Sequence, residues 1–230
     1  MPYFINIIGD RGGGKTAWAV FDQCEKHQLY PQFPMVTNVL PRQPFDDGTM
    51  PIYVNDILKW IAIKTILASS KDPDKAKAGR LYANVNLDEA AIQGLESRGS
   101  ASRASVPNTY LLALSRKVNI DLKLLTQLMS MIDKRGQWIS DYDMLCEASK
   151  AQYFIDGVSY PIQFNYTIYK NLRPINHLHI NGEFMRQWIY PKYDTNDVPL
   201  TQAMIEDFVD FYEIKQGDYV EYRRQMGVLP

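Results

Sequence analysis

The sequence predicts an α/β fold: a mostly parallel central sheet flanked by helices. Three observations carry the prediction. Short apolar runs of strand length recur between segments with helical periodicity. A glycine-rich turn joins the first run to the first helix. Two later runs end in acidic or amide residues, which parallel strands would deliver to one edge.

The first strand is Tyr3-Phe4-Ile5-Asn6-Ile7-Ile8, and the helix after it runs from Thr16 through Phe21 to Cys24, with its apolar face recurring every three to four residues. Prolines at 31, 34, 41, 44 and 51 punctuate the next segment, leaving Met35-Val36-Thr37-Asn38-Val39-Leu40 as its strand. Residues 56–69 read as a helix with Ile57, Trp60, Ile61, Lys64 and Leu67 on or near one face. The polar run 70–79 is expected as an exposed loop or helix end. Residues 81–87 form the next strand, and its Asn84 and Asn86 depart from an all-apolar pattern and require buried partners. A helix is expected at 107–117, a strand at 121–127, and further strands at 144–148 and 153–155. Beyond residue 158 the signal changes: 160–169 and 184–190 read as added strands, and 201–215 as a helix. The expected division is a core over 1–158 and a strand/helix extension over 159–230, which either joins the same domain or stands beside it.

Composition narrows the function classes. With 25 Lys plus Arg against 26 Asp plus Glu, the chain lacks the overall basicity of a nucleic-acid coat. A motor that holds DNA through a few loop residues remains compatible with that balance. The two cysteines, Cys24 and Cys146, are too few for a disulfide framework and read as reduced residues within secondary structure. No apolar run approaches bilayer-spanning length and no leader precedes the first strand, so a soluble protein without a transmembrane anchor is expected. His27, His177 and His179 lack the spacing of a metal site and read as structural or surface residues, and Trp18, Trp60, Trp138 and Trp188 as packing groups.

The chemistry lies in residues 9–16. Gly9-Asp10-Arg11-Gly12-Gly13-Gly14-Lys15-Thr16 is the complete G-x-x-x-x-G-K-T phosphate-binding pattern, set between a strand and a helix as its mechanics require. The glycines let successive N–H groups face phosphates at a helix N-terminus, Lys15 reaches the β/γ-phosphates, and Thr16 offers its hydroxyl to Mg²⁺. ATP and Mg²⁺ are therefore the expected ligands. Asp88, at a strand end, is the expected metal-water contact, with Glu89 orienting the attacking water. Gln127 is expected to hydrogen-bond the attacking water or the γ-phosphate and report whether ATP is intact, with a structural amide at the sheet edge as the competing reading. Arg98, Arg103, Arg116 and Arg135 are candidates to reach a neighbouring subunit's triphosphate.

The motifs have a further order: Val-Thr-Asn-Val at 36–39, Leu-Asp-Glu-Ala at 87–90, Glu-Ser-Arg-Gly-Ser at 96–100, Leu-Ser-Arg-Lys at 114–117, Leu-Thr-Gln-Leu at 125–128 and Ile-Asp-Lys-Arg at 132–135. With the phosphate loop, this series resembles the FtsK/HerA-like packaging ATPases of viruses, including relatives of the filamentous-phage assembly ATPase and its zonula-occludens-toxin-like kin. The resemblance spans residues 3–150, with Tyr193-Asp194-Thr195 a weaker match beyond. It implies a RecA-like P-loop NTPase core in a homo-hexameric ring that moves double-stranded DNA, most directly a viral genome into a capsid. Virion extrusion or another DNA transfer are the nearest alternatives; a small-molecule kinase or a nucleotide-regulated assembly scaffold are more distant ones. The implied setting is the host cytoplasm at a virion or capsid vertex, with a capsid or inner-membrane virion protein as partner.

Overall fold

In the computed structural model, the described residues are 2–89, 112–128 and 134–194, with side chains from residue 137 in the last stretch. Ten strands alternate with helices: β1 Phe4–Ile8, α1 Lys15–Leu29, β2 Met35–Thr37, β3 Ile52–Tyr53, α2 Ile57–Ala68, α3 Pro73–Gly79, β4 Ala83–Leu87, β5 Ile120–Thr126, α4 Lys134–Ile139, β6 Tyr142–Ala148, β7 Gln152–Ile155, β8 Val158–Pro161, β9 Gln163–Lys170 and β10 Arg173–Asn181. Eight strands form one sheet in the order β10-β9-β6-β1-β5-β4-β2-β3, and β7 with β8 forms a separate hairpin. Pairing is parallel from β6 to β3 and antiparallel where β9 and β10 are added. The sheet is thus mixed and mostly parallel, as expected.

Local chemistry starts and stops these elements. Asp56 caps α2 by accepting from the Lys59 N–H at 2.8 Å. Asp72 caps α3, and Pro73 supplies its pre-set first position, so the run 70–79, expected as an exposed loop or helix end, is largely a short helix. Side chains alternate across the sheet. Val85 and Leu87 of β4 and Leu122 and Leu124 of β5 pack with α2 on one face. Ile5, Ile7, Leu125, Met144 and Cys146 pack with α1 on the other, joined by Phe164 and Tyr166 from β9.

Beside that second apolar cluster the α1 face is polar. The fully buried Lys123 lies 2.6 Å from Asp22 of α1 and donates to Asn84 at 2.5 Å and Asn86 at 3.1 Å. Asn86 donates in turn to the Ala19 carbonyl of α1 at 3.0 Å. Lys26 continues the chain, pairing with Asp22 at 3.1 Å and Asp121 at 3.3 Å, and Tyr82 donates its hydroxyl to Asp121. The partners that Asn84 and Asn86 require are therefore a buried lysine and the helix itself. Burial pushes the Lys123 amine down to about 8, against the opposing pull of Asp22.

Several expectations are corrected. Residues 184–190, expected as a strand, are helical: a turn at Gly182–Phe184 is capped by Asn181, and a π-helical turn occupies Met185–Ile189. Met185 and Ile189 are the buried pair, an i, i+4 spacing that only a helical backbone brings to one face. The single strand expected at 160–169 is split between β8 and β9 at Ile162. β10 is a strand for which the sequence reading holds no expectation: its polar residues and Pro174 give no apolar alternation, and in the structure it is an edge strand with a register shift between Pro174 and Asn176. Trp18 packs in the core, but Trp138 and Trp188 are 80% and 62% exposed and do not serve as packing groups. His27 is buried, stacks on Phe45 and lies 2.9 Å from Asp47; His177 and His179 lie on the exposed β10. Most of the helix expected at 107–117, and all of that at 201–215, fall outside the described residues. Among the described residues no helix is long and apolar enough to cross a membrane.

Candidate active site

Because β1, β5 and β4 run parallel with Ile8 opposite Thr126 and Leu87 opposite Leu124, their C-terminal ends open on one edge. That register brings Gly9, Gln127 and Asp88 to a common rim, with β5 standing between the strand of the glycine loop and the strand of the acidic pair. α1 begins at this rim.

The loop is shaped by what its glycines lack. Gly14 has a φ of 92°, the left-handed region open to glycine, and a Cβ there would stand 2.5 Å from the Phe164 ring. At Gly9 a Cβ would come within 2.3 Å of the Cys146 carbonyl oxygen on β6. The turn closes through a Gly13 N–H to Asp10 carbonyl bond of 3.0 Å. Lys15 folds back over it, donating to the carbonyls of Gly9 at 2.8 Å and Asp10 at 3.0 Å. Tyr166 of β9 donates to the Gly14 carbonyl at 3.3 Å, so a strand beyond the parallel core also supports the loop. Asp10, Arg11 and Gly12 form its crest, with Asp10 and Arg11 exposed.

Thr16, the second residue of α1, donates its hydroxyl to Asp88 Oδ2 at 2.7 Å. Residues 72 positions apart thus place a hydroxyl and a carboxylate at one point, the hard-oxygen pair that suits Mg²⁺ carrying phosphates and water as its other ligands. The donor set and the glycine cradle both fit a magnesium triphosphate. Burial pushes the Asp88 carboxyl above the usual carboxylate range, opposed by the hydrogen bonds from Thr16 and the Glu89 N–H and by the charge of Lys15. Glu89 is raised by its own burial and then by the Asp88 charge; Lys15 and a hydrogen bond from Gln127 pull it back. The structure thus brings together the loop, Lys15, Thr16, Asp88, Glu89 and Gln127.

It does not bring all the arginines there. Arg116 pairs with Asp141 at 2.7 Å, and Asp141 caps the start of β1 through the Phe4 N–H at 2.8 Å. Within the chain this sets Arg116 at the strand N-terminal end, opposite the loop. Arg98, Arg103 and the Arg135 side chain lie outside the described residues. One site residue has no assignment from sequence. Asn38, fully buried just past β2, donates to the Asp88 carbonyl at 2.9 Å and accepts from the Asp88 N–H at 2.7 Å. It sits in the Val-Thr-Asn-Val run, but nothing local there marks the amide as the partner of a residue 50 positions away.

No protein-family model matches the sequence, and no curated protein matches it. Among solved structures, the N-terminal domain of zonular occludens toxin from Neisseria meningitidis is similar with a TM-score of 0.52 and 16% identity, over 84% of this chain and 100% of that one. The genome packaging NTPase B204 from Sulfolobus turreted icosahedral virus 2, in complex with ATP-γ-S, gives a TM-score of 0.49 and 12% identity over 79% of this chain and 98% of that one. Together with the strand order, the first likeness shows the fold: a mixed, mostly parallel sheet flanked by helices, consistent with a RecA-like P-loop NTPase core.

Proposed function

We propose that this chain is a Mg²⁺-dependent ATPase that moves DNA, acting as a viral genome-packaging translocase. The observation that carries the reading is the 2.7 Å contact of Thr16 with Asp88, which joins the two halves of a hydrolytic site from distant parts of the chain. In this reading the backbone N–H groups from Gly12 to Thr16 wrap the phosphates, and Lys15 exchanges its loop carbonyls for the β/γ-phosphates. Thr16 and Asp88 would hold the metal, which would neutralise charge on the phosphates. Glu89, its basicity raised by burial, accepts the proton of the attacking water. Gln127, already bonded to Glu89, hydrogen-bonds the γ-phosphate and links its presence to that carboxylate.

The motor part of the proposal is supported by the ordered motif series that joins the phosphate loop to the acidic pair and the arginine-bearing runs after it. It requires a ring, most simply a hexamer, in which an arginine crosses to the neighbour's triphosphate. Arg98, Arg103 and Arg135 are the candidates, since Arg116 is engaged by Asp141 at the far end of the sheet. Hydrolysis then changes the subunit interface and shifts a pore-facing loop along double-stranded DNA. The test measures ATP turnover with and without double-stranded DNA, together with displacement of a DNA-bound roadblock. DNA-stimulated turnover and displacement are expected; steady turnover indifferent to DNA, with no displacement, overturns the motor assignment and leaves only the ATPase.

A further inference from the structure

β2 stops early. Its backbone pairs with β4 through Thr37 opposite Asn86, then bends away as the Thr37 hydroxyl accepts from the Val39 N–H at 3.0 Å. The ladder would end there, two residues short of Asp88. Instead the Asn38 side chain takes the place of the missing strand. A carboxamide carries one C=O and one N–H₂, the same donor and acceptor that a peptide group offers. Asn38 uses both on a single residue: its Oδ1 accepts from the Asp88 N–H at 2.7 Å and its Nδ2 donates to the Asp88 carbonyl at 2.9 Å. Asn38 is fully buried, so neither bond competes with bulk water.

The backbone turns sharply at the next residue. Glu89 has a φ of 49°, a left-handed conformation that a non-glycine residue keeps only where its surroundings hold it. Its N–H is tied to Asp88 Oδ1 at 2.9 Å, and its side chain takes the hydrogen bond from Gln127. The φ of Glu89 is set against the Asp88–Glu89 peptide plane, and Asn38 holds that plane through the Asp88 carbonyl and the preceding plane through the Asp88 N–H, so turning the Asp88–Glu89 plane to relax Glu89 would break the Nδ2 bond. We propose that Asn38 is a positioning residue for hydrolysis: by clamping both backbone groups of Asp88 it holds Glu89 in its left-handed turn, with the carboxylate beside Gln127 and over the triphosphate, while contributing little to nucleotide binding itself. This rests on the ATPase reading above and assigns to that site a residue acting through Glu89.

The conservative replacement is informative because aspartate keeps the shape but, when ionised, loses the donor and sets an anion against the Asp88 carbonyl. For N38D, the dissociation constant for a Mg²⁺-bound non-hydrolysable ATP analogue is expected to stay within about threefold of wild type. Its kcat falls on the order of 10- to 100-fold, the scale of a misplaced catalytic group. N38L, which removes both bonds, falls at least as far. The discriminating measurement is a double-mutant cycle. If Asn38 acts through Glu89, E89Q and N38D/E89Q have the same residual rate. Additive losses overturn the proposal, as does an N38D protein with unchanged kcat. If N38D loses analogue binding along with turnover, Asn38 supports the site as a whole and the positioning role falls. A wild-type protein that binds the analogue yet never hydrolyses ATP removes the ATPase reading instead, a result distinct from any of these because it needs no variant.

Discussion

Among single residues, the site combines groups that burial holds away from their ordinary ionisation. Asp88 is raised, so the folded chain binds the more protons between the usual carboxylate range and the raised value, and stability falls as pH rises through that window. A neutral replacement removes this cost. D88N is therefore expected to melt above wild type at neutral pH without nucleotide, by an amount that shrinks on acidification, while losing the Mg²⁺ dependence of nucleotide binding; thermal unfolding by circular dichroism across about pH 4–8 checks it. In the proposed role, function opposes stability, as it does where an active site stores unfavourable charge. Glu89 gives a second outcome: E89Q should keep ATP affinity and lose multiple turnover by on the order of 100-fold or more, measured by phosphate release, whereas K15A should lose the affinity itself. The phosphate loop, Asp88 and Glu89 are legible in the sequence because their chemistry fixes residue types at short spacing. Asn38 is not, because its partner lies 50 positions away and a lone amide after a strand has no local signature.

Among the elements, α1 rests on the sheet by two different kinds of contact. Over β1 and β6 it is apolar, and over β4 and β5 it is an ion-paired seam of Asp22, Lys26, Lys123, Asn84, Asn86 and Asp121. Non-directional apolar packing tolerates sliding, but hydrogen bonds with defined partners fix where the helix sits along the strands. K123M leaves Asn84 and Asn86 without their donor and Asp22 with Lys26 as its remaining partner, so it is expected to destabilise the chain by about 1–3 kcal/mol, and D22N/K123M by less than the sum of the two single changes. Urea unfolding of the three variants measures this. The seam also has a pH signature. Because Lys123 titrates near 8 when folded and near its ordinary value when unfolded, the unfolded chain holds the more protons in between, and this residue's contribution to stability rises from about pH 8 to about pH 10. Above that the sign reverses for Tyr3 and Tyr82, whose buried phenols are raised and keep protons that the unfolded chain releases. The difference between wild type and K123M, followed from about pH 7 to about pH 9.5, isolates the lysine; equal pH slopes in the two proteins would contradict the assignment.

In the molecule as a whole, among the described residues after 158, β9 and β10 extend the sheet, and Phe164 and Tyr166 lie in the core against α1 and Gly14. A chain ending at residue 158 is expected to expose this apolar face and to fail in both cooperative unfolding and nucleotide binding, whereas Y166F, losing one 3.3 Å hydrogen bond, should keep the fold and weaken nucleotide affinity by about fivefold or less. Calorimetry of the truncation and titration of the variant test the two statements. The alternation of strands and helices, the phosphate loop and the identity of the acidic pair are all written in short stretches of chain, since periodicity and motifs are properties of neighbouring residues. That Thr16 meets Asp88, that Lys123 satisfies Asn84 and Asn86, that Met185 and Ile189 turn a strand-like stretch into a helix, and that Asn38 grips the Asp88 backbone are visible only once the chain is folded. Each of these depends on which segments become neighbours and in what register, and that choice is made by burial of the whole core.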